Sequence, residues 1–242
     1  MDQCCAKGSL HTGSPVGKVV ELFSVLTYVT KSNGPTKHAI LLLSDAIGHT
    51  FINAQLAADT FAELGNVDVF IPDIVNGEGI PVSYLSGEKY DVAAWVSRHP
   101  KETCRHIIFD AARSLKSDMG YEKIGVVGYC FGGWGTLELG ASDLVNAVAV
   151  AHPSLLNFPA DVENLKQPAL FLCAEVDQQF PLDKVERSKQ ITSEKALDNK
   201  FVFYPGTEHG FAMRFNMKSP VVVKAAEDAK DQVIDWFYKH FK

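Results

Sequence analysis

Three residue types that together perform nucleophilic catalysis stand just after apolar segments of the chain. Cys130 follows the run Ile-Gly-Val-Val (124–127), Asp177 follows an apolar run over 169–174, and His209 follows one over 201–204. A cysteine thiolate attacks carbonyl carbon, a histidine carries the proton, and an aspartate fixes the tautomer of the histidine. Nucleophile, acid and histidine in that chain order predict an acyl-transfer site with a Cys-His-Asp triad.

The residues around Cys130 predict a sharp turn between a strand and a helix. The sequence over 128–132 is Gly-Tyr-Cys-Phe-Gly, which has the form of a G-x-S-x-G nucleophile elbow with cysteine in place of serine. Glycines two residues before and after the apex keep side chains out of a crowded space. A helix beginning after Cys130 would lower the pKa of its thiol through the positive end of the helix dipole.

Each of the three residues also has a simpler interpretation when taken alone. Cys130 could be a small buried apolar residue, Asp177 a cap for the helix predicted from 182, and His209 a polar loop residue. Their joint occurrence at successive strand ends favours the catalytic interpretation. His152 also follows a predicted strand, and we interpret it as a pocket wall because it precedes the acid in the chain. The histidines at 38, 49, 99 and 106 lack comparable sequence context.

Composition and charge exclude several classes of protein. The 242 residues are 46% hydrophobic and carry a net charge of −6, with no basic cluster, which argues against a nucleic-acid partner. No apolar run approaches the roughly 18 residues of a membrane span, and the first residues lack the apolar core of a secretory signal. Five scattered cysteines do not describe a disulfide framework, so we expect a reduced, cytoplasmic location.

Alternating strand and helix patterns predict an α/β fold with a mostly parallel central sheet and helices on both faces. We interpret 1–242 as a single domain whose residues 1–15 form an irregular lead-in. Predicted strands lie within 16–30 and at 39–43, 67–72, 124–127, 147–151, 169–174 and 201–204. Predicted helices cover 50–64, 88–97, 101–116, a segment after Cys130, 182–196 and 220–241, and 76–87 is predicted to be a loop.

The chain resembles the dienelactone hydrolase family from about residue 17 to its end. The resemblance is carried by Gly-Tyr-Cys-Phe-Gly-Gly (128–133) and by His-Gly-Phe (209–211), and the residues before Gly17 resemble the fungal branch. It implies an α/β-hydrolase fold and a carboxylic ester hydrolase similar to carboxymethylenebutenolidase, with Cys130, His209 and Asp177 as the triad and no cofactor. We expect a small-molecule ester or lactone substrate, no membrane partner, and a monomer or weak homodimer.

Two positions depart from the family pattern. Where bacterial members have a glutamate that pairs with the resting thiol, this chain has Asp45, which is one methylene shorter. We expect Asp45 to modulate the thiol, and a cap for the helix at 50–64 is the alternative. Where the family has an arginine that holds a substrate carboxylate, this chain has Met213, and Arg214 follows one residue later. Arg214 is a candidate for that carboxylate contact, with a solvated side chain as the alternative.

The resemblance also implies an oxyanion hole and a substrate pocket. Its donors would be the backbone N–H groups of Ala46 and Phe131. Candidate pocket walls are aromatic residues near the motifs and near the 76–84 loop, which could form a partial lid; they are Tyr84, Tyr129 and Phe211, with Trp134 and Phe180 as weaker candidates.

These residues predict a cysteine-dependent hydrolase of small esters or lactones. A thioesterase or acyl-transferring enzyme of secondary metabolism is the alternative within enzymes. A thiol redox sensor or a ligand-binding pseudoenzyme is the alternative outside them, although neither needs the Asp177–His209 pair and neither Cys104 nor Cys173 is an obvious resolving thiol. A metal site from Cys4, Cys5 and His11 matches no standard zinc spacing, so we expect no metal.

Overall fold

An eight-stranded sheet forms the centre of the structure, which is a computed structural model that describes residues 8–242; Cys4 and Cys5 lie outside this range. The strand order is β1-β2-β4-β3-β5-β6-β7-β8. The two strands β1 and β2 form an antiparallel hairpin, β2 pairs antiparallel with β4, and all later neighbours are parallel. The strands are β1 Lys18–Leu22, β2 Val25–Thr30, β3 His38–Leu43, β4 Asp68–Pro72, β5 Lys123–Tyr129, β6 Ala147–Ala151, β7 Ala169–Val176 and β8 Asn199–Glu208.

Helices cover both faces of this sheet. They are α1 Ile52–Gly65, α2 Val92–Arg98, α3 Lys101–Ser117, α4 Gly132–Gly140, α5 Ala160–Glu163, α6 Leu182–Glu194 and α7 Pro220–His240. A 3-10 helix, Val82–Ser86, lies in the long connection between β4 and α2. Within residues 8–242, none of the helices combines the length and apolar character needed to cross a membrane.

The strand alternation divides the core into two apolar layers. In β3, Leu41 and Leu43 join the layer under α2, α3, α4 and α6, whereas Ile40 and Leu42 join the layer under α1 and α7. Every residue of β4 and β6 is buried, as expected for strands covered on both sides. The parallel pairing places the carboxyl ends of β3 to β8 at one edge of the sheet, where ligands bind in such folds.

The predicted fold class is confirmed, and the differences lie at element boundaries. The strand predicted at 201–204 extends through 199–208, because its extra residues pair with β7 past an irregularity between Ala174 and Val176. The predicted 76–87 loop contains the 3-10 helix, and the short helix α5 was not predicted. Apolar periodicity does not identify helices of four or five residues, because they are too short to show a helical period.

Candidate active site

Cys130 occupies a tight turn between β5 and α4. Its φ is 48°, in the left-handed region that a residue with a side chain rarely adopts. A Cβ atom on Gly128 would lie 2.1 Å from the Thr136 hydroxyl oxygen, and one on Gly132 would lie 2.2 Å from the Leu43 carbonyl oxygen. Glycine is therefore required on both sides of the apex, and the turn has the geometry expected of a nucleophile elbow.

Asp177 and His209 form a buried pair beside this turn. The irregular pairing of β7 and β8 sets Val176 opposite Glu208, so the residues that follow them are neighbours. The Nδ1 atom of His209 lies 2.9 Å from Oδ2 of Asp177, and both side chains are buried. The other carboxylate oxygen of Asp177 accepts hydrogen bonds from the backbone N–H groups of Gln179 and Phe180.

The His209 imidazole also forms a hydrogen bond with the Cys130 side chain. Burial by itself would lower the pKa of His209, but the Cys130 thiolate charge and the hydrogen bonds to Asp177 and Cys130 outweigh it and raise this pKa above its ordinary value. An imidazolium beside a thiolate is the reactive form of a cysteine–histidine pair. The structure thus brings together the three residues that the sequence singled out.

His152, which also follows a strand end, lies next to His209. The two ring centroids are 5.0 Å apart, and the His152 side chain is fully buried. Within residues 8–242, neither ring nitrogen of His152 has a hydrogen-bond partner, and burial followed by the His209 charge lowers its pKa well below the ordinary value. The contacts to an acid and to the thiol therefore belong to His209, and His152 is a neutral neighbour.

Ala46, in the loop after β3, belongs to the same buried apolar cluster as Cys130 and Phe131. In this loop the N–H of Ile47 donates to the Asp45 carboxylate at 3.0 Å, and the N–H of Gly48 donates to the Asp45 carbonyl at 3.1 Å. Among the described residues, the N–H groups of Ala46 and Phe131 donate to no acceptor. An oxyanion hole needs two such backbone donors directed at the substrate oxygen, so the assignment of Ala46 and Phe131 stays a prediction.

Asp45 and Arg214 form a second buried charge pair at this site. Oδ2 of Asp45 is 3.7 Å from Nε of Arg214, and both side chains are nearly inaccessible to solvent. Burial raises the pKa of Asp45 to about 6, opposed by the charge of Arg214 and reinforced by that of Cys130. Helix α1 begins after Phe51 without a side-chain cap, so Asp45 does not cap it. Arg214 is not solvated, because its guanidinium packs against Gly210 as well as facing Asp45.

The predicted pocket residues are divided between two cavities and the apolar core. His209, Phe211 and Arg214 line a cavity of about 660 Å³ together with Leu85 to Gly87 of the 76–87 segment. Tyr84 is buried in the cluster that contains Cys130, with its ring 6.3 Å from that of Tyr90. Tyr129 is buried in the opposite layer and borders a different cavity, under α1 and α7. Trp134 and Phe180 are core residues.

One polar residue at the site was not predicted from the sequence. The Ser154 hydroxyl oxygen lies 3.4 Å from Sγ of Cys130 and 3.4 Å from Nε2 of His209. Its sequence signal was its position three residues after the apolar strand at 147–151, the placement shared by the other site residues. Within residues 8–242, no three histidine, cysteine, aspartate or glutamate side chains are grouped so that they could hold a metal ion.

Comparison with known proteins places this geometry in a family. Residues 25–241 match the Dienelactone hydrolase family. Hydrolase tropI of Talaromyces stipitatus is 31% identical, over 99% of this chain and 96% of that protein. Dienlactone hydrolase 1 of Gibberella moniliformis is also 31% identical, over 97% of this chain and 92% of that protein. The solved structure m3DLH gives a TM-score of 0.71 at 17% identity, over 90% of this chain and 93% of that one. The structure of a dienelactone hydrolase from Anabaena variabilis gives a TM-score of 0.64 at 14% identity, and the match covers 93% of this chain and 98% of that one.

The sheet order and the structural likeness define an α/β-hydrolase fold. Within that class, the chain belongs to the dienelactone hydrolase family and is a hydrolase of that family. The family implies a small-molecule substrate.

Proposed function

We propose that this protein is a cysteine-dependent hydrolase of small esters or lactones, with Cys130 as nucleophile, His209 as general acid–base and Asp177 as its orienting acid. The observation that carries the proposal is the single imidazole that contacts both partners, Asp177 at 2.9 Å and the Cys130 thiol by a hydrogen bond. Two such contacts on one buried ring are needed for proton transfer and are not needed for packing.

Acylation begins with attack of the Cys130 thiolate on the substrate carbonyl carbon. The carbonyl electron pair moves to oxygen, and the N–H groups of Ala46 and Phe131 stabilise the resulting oxyanion. When the tetrahedral intermediate collapses, the C–O bond to the alcohol breaks and the His209 imidazolium gives its proton to the departing oxygen. The product of this step is a thioester on Cys130 with a neutral His209.

Deacylation uses the same groups in the reverse order. His209 removes a proton from water, the hydroxide attacks the thioester carbon, and the carbon–sulfur bond breaks to restore the Cys130 thiolate and the imidazolium. With an ester, the alcohol has already left. With a lactone, the alcohol stays attached to the acyl chain, and the product is a hydroxy or oxo acid.

We assign Asp45 the role of modulating the thiol. Its carboxylate is buried beside both the thiol and Arg214, so its charge opposes thiolate formation while Arg214 favours it. Arg214 is the candidate for a substrate carboxylate, which would have to compete with Asp45 for the guanidinium. Phe211, which lines the same cavity, is the candidate apolar contact. Tyr84 remains a candidate within the buried cluster that contains Cys130, whereas Tyr129 borders a different cavity.

The burial of the other described cysteines supports a hydrolase over a redox sensor. Burial raises the pKa of Cys104 to about 11 and that of Cys173 to about 12. Thiols held in the protonated form are poor partners for disulfide exchange with Cys130. The names of the relatives, among them a hydrolase and a dienelactone hydrolase, favour hydrolysis over acyl transfer to another acceptor.

The decisive experiment is mass spectrometry of the protein after brief exposure to p-nitrophenyl acetate and, separately, to dienelactone. We expect an acyl adduct on Cys130 or turnover that disappears in Cys130→Ala, by at least about 10³-fold, because the residue that becomes acylated is absent. Cys104→Ala is the matched control, since it removes a buried thiol outside the site and should leave turnover unchanged.

Turnover that survives in Cys130→Ala would contradict the proposed nucleophile. An adduct that accumulates on Cys130 without hydrolysis, but transfers to an added alcohol or amine, would instead identify an acyl-transferring enzyme. Reaction with dienelactone and not with p-nitrophenyl acetate would narrow the substrate to lactones.

A further inference from the structure

Ser154 stands between the nucleophile and the histidine of the proposed triad. Its hydroxyl oxygen is within hydrogen-bond distance of both, at 3.4 Å from Cys130 Sγ and 3.4 Å from His209 Nε2. The Ser154 residue is fully buried. A serine hydroxyl has one proton to donate and two lone pairs to accept with, so it can bind a donor and an acceptor at once.

The backbone fixes Ser154 in this position. Its N–H donates to the carbonyl oxygen of Cys130 at 2.9 Å, so the serine is tied to the nucleophile residue itself. The preceding Pro153 packs so closely on α4 that a Cβ atom on Gly133 would come within 2.5 Å of it. His152 adopts a φ of 40° to start this turn. A strained residue and a close backbone approach are the features expected where a loop positions a functional side chain.

We propose that Ser154 is a further catalytic residue, whose hydroxyl donates a hydrogen bond to the Cys130 thiolate and shares with that thiolate the single Nε2–H of His209, and so stabilises the charged thiolate–imidazolium pair. This inference rests on the proposed function of Cys130 and His209. Hydrogen bonds in which a partner is charged are about twice as strong as neutral ones, and in a buried site water does not replace them.

The Ser154 hydroxyl can also form hydrogen bonds with the neutral Cys130 thiol and the neutral His209 imidazole from the same position. In that state the Cys130 thiol donates to the Ser154 oxygen, and the Ser154 hydroxyl donates to Nε2 of His209. Passage to the charged state breaks the S–H and O–H bonds and forms new O–H and N–H bonds. One proton leaves sulfur, one arrives on nitrogen, and the serine is unchanged.

Several charges face the Cys130 thiol from the surrounding segments. Asp45, from the loop after β3, opposes the thiolate, while the His209 imidazolium and Arg214, from the segment after β8, favour it. His152, after β6, is neutral. Ser154 is a neutral donor on Sγ and carries no charge of its own, so it stabilises the thiolate without altering the net charge around it.

The test is a pH titration of the Cys130 thiolate by its ultraviolet absorbance, taken as the difference between each protein and its Cys130→Ala counterpart. In Ser154→Ala we expect the titration midpoint to rise by about 1 pH unit, because a hydrogen bond to a charged group is lost. The acid limb of the kcat/KM profile should move to higher pH by a similar amount. At pH values above both midpoints, the two proteins should reach rates within about three-fold of each other.

Two matched variants separate this role from a structural one. Ser188→Ala removes another fully buried serine hydroxyl, which donates to the Lys184 carbonyl within α6, and it should leave the midpoint in place. Ser154→Thr keeps the hydroxyl and should keep the midpoint near the original value. A midpoint that stays unchanged in folded Ser154→Ala overturns the inference alone. A parent protein without a titrating Cys130 thiolate overturns the inference together with the proposed function.

Discussion

Residues 8–242 contain two buried histidine–aspartate pairs at the same edge of the sheet, and they differ in the contacts of the second ring nitrogen. In the first pair, Nδ1 of His209 is 2.9 Å from Asp177, and Nε2 faces Ser154 at 3.4 Å and the Cys130 thiol. In the second pair, Nδ1 of His49 is 3.6 Å from Asp73. Within the part of the chain that the structure describes, Nε2 of His49 has no hydrogen-bond partner.

Asp177 and Asp73 also differ in their structural roles. Asp73 accepts hydrogen bonds from the backbone N–H groups of Val75 at 3.1 Å and Gly77 at 2.5 Å, so it ties the start of the long β4–α2 connection to the loop that carries His49. Burial would raise the pKa of Asp73, but His49 and these N–H groups lower it below its ordinary value. The same pair of residue types is thus a candidate for proton transfer only where a nucleophile completes it.

The largest expected effect separates the two histidines. His209→Gln should lower kcat/KM for p-nitrophenyl acetate by about 10³-fold or more, because it removes the group that receives and returns the proton. His49→Gln should leave kcat/KM within about three-fold of the parent. Equal losses in the two variants, with both proteins folded by circular dichroism, would show that the distinction between the pairs is wrong.

Substitution of Asp177 should affect activity, whereas substitution of Asp73 should affect stability. Asp177→Asn should lower kcat by about 10²-fold, because a neutral amide neither fixes the tautomer of neutral His209 nor stabilises its imidazolium. Asp73→Asn should instead lower the free energy of unfolding by about 2 kcal/mol near neutral pH, because a carboxylate with several donors is lost. Urea unfolding and steady-state kinetics on both variants check this division.

The stability effect of Asp73 should depend on pH with a definite sign. Because its pKa is lowered in the folded protein, the carboxylate stabilises the fold above its unfolded pKa of about 4 and stops doing so as the pH falls through the folded value. The difference in unfolding free energy between the parent and Asp73→Asn should therefore be full at neutral pH and shrink under acid conditions. A difference that grows toward low pH would contradict the stabilising role of the Asp73 carboxylate.

The smallest expected effect concerns Asp45, whose charge lies beside the site of the His209–Asp177 pair. Asp45→Asn removes a carboxylate that opposes the thiolate and leaves Arg214 in place, so the acid limb of the kcat/KM profile should move to lower pH, by about 0.5 to 1 unit. The measurement is the pH–rate profile of the variant beside the parent. A changed melting temperature with an unmoved profile would mean that Asp45 acts on the fold alone.

The sequence predicted the elements that position the site more fully than it predicted the contacts within it. Apolar strands and the glycines around Cys130 are local signals, and they predicted the sheet and the turn at 128–132. The chain order of acid and histidine predicted that Asp177 and His209 would meet, since parallel strands end at the same edge.

The unpredicted features depend on distances between segments far apart in the chain. The position of Ser154 shortly after a strand is a weak signal, and its contact with Cys130 becomes visible only in the structure, where β6 pairs with β5. The burial of Arg214 against Asp45 also depends on a contact between positions far apart in the chain, so a solvated side chain was an equal alternative from the sequence. Tyr129 is part of the motif at 128–132, but its side chain lies in the layer opposite that of Cys130, as strand alternation requires.

The complete enclosure of Cys130, whose exposed fraction is 0%, has a consequence for the timing of the reaction. For the nucleophile that we propose, a substrate can reach the sulfur only while neighbouring side chains have moved aside, so each cycle would begin with an opening motion whose frequency sets an upper bound on the rate. Between openings the same enclosure keeps peroxide and other dissolved oxidants away from the thiolate, and the protein's chemical lifetime is tied to the motion that admits its substrate.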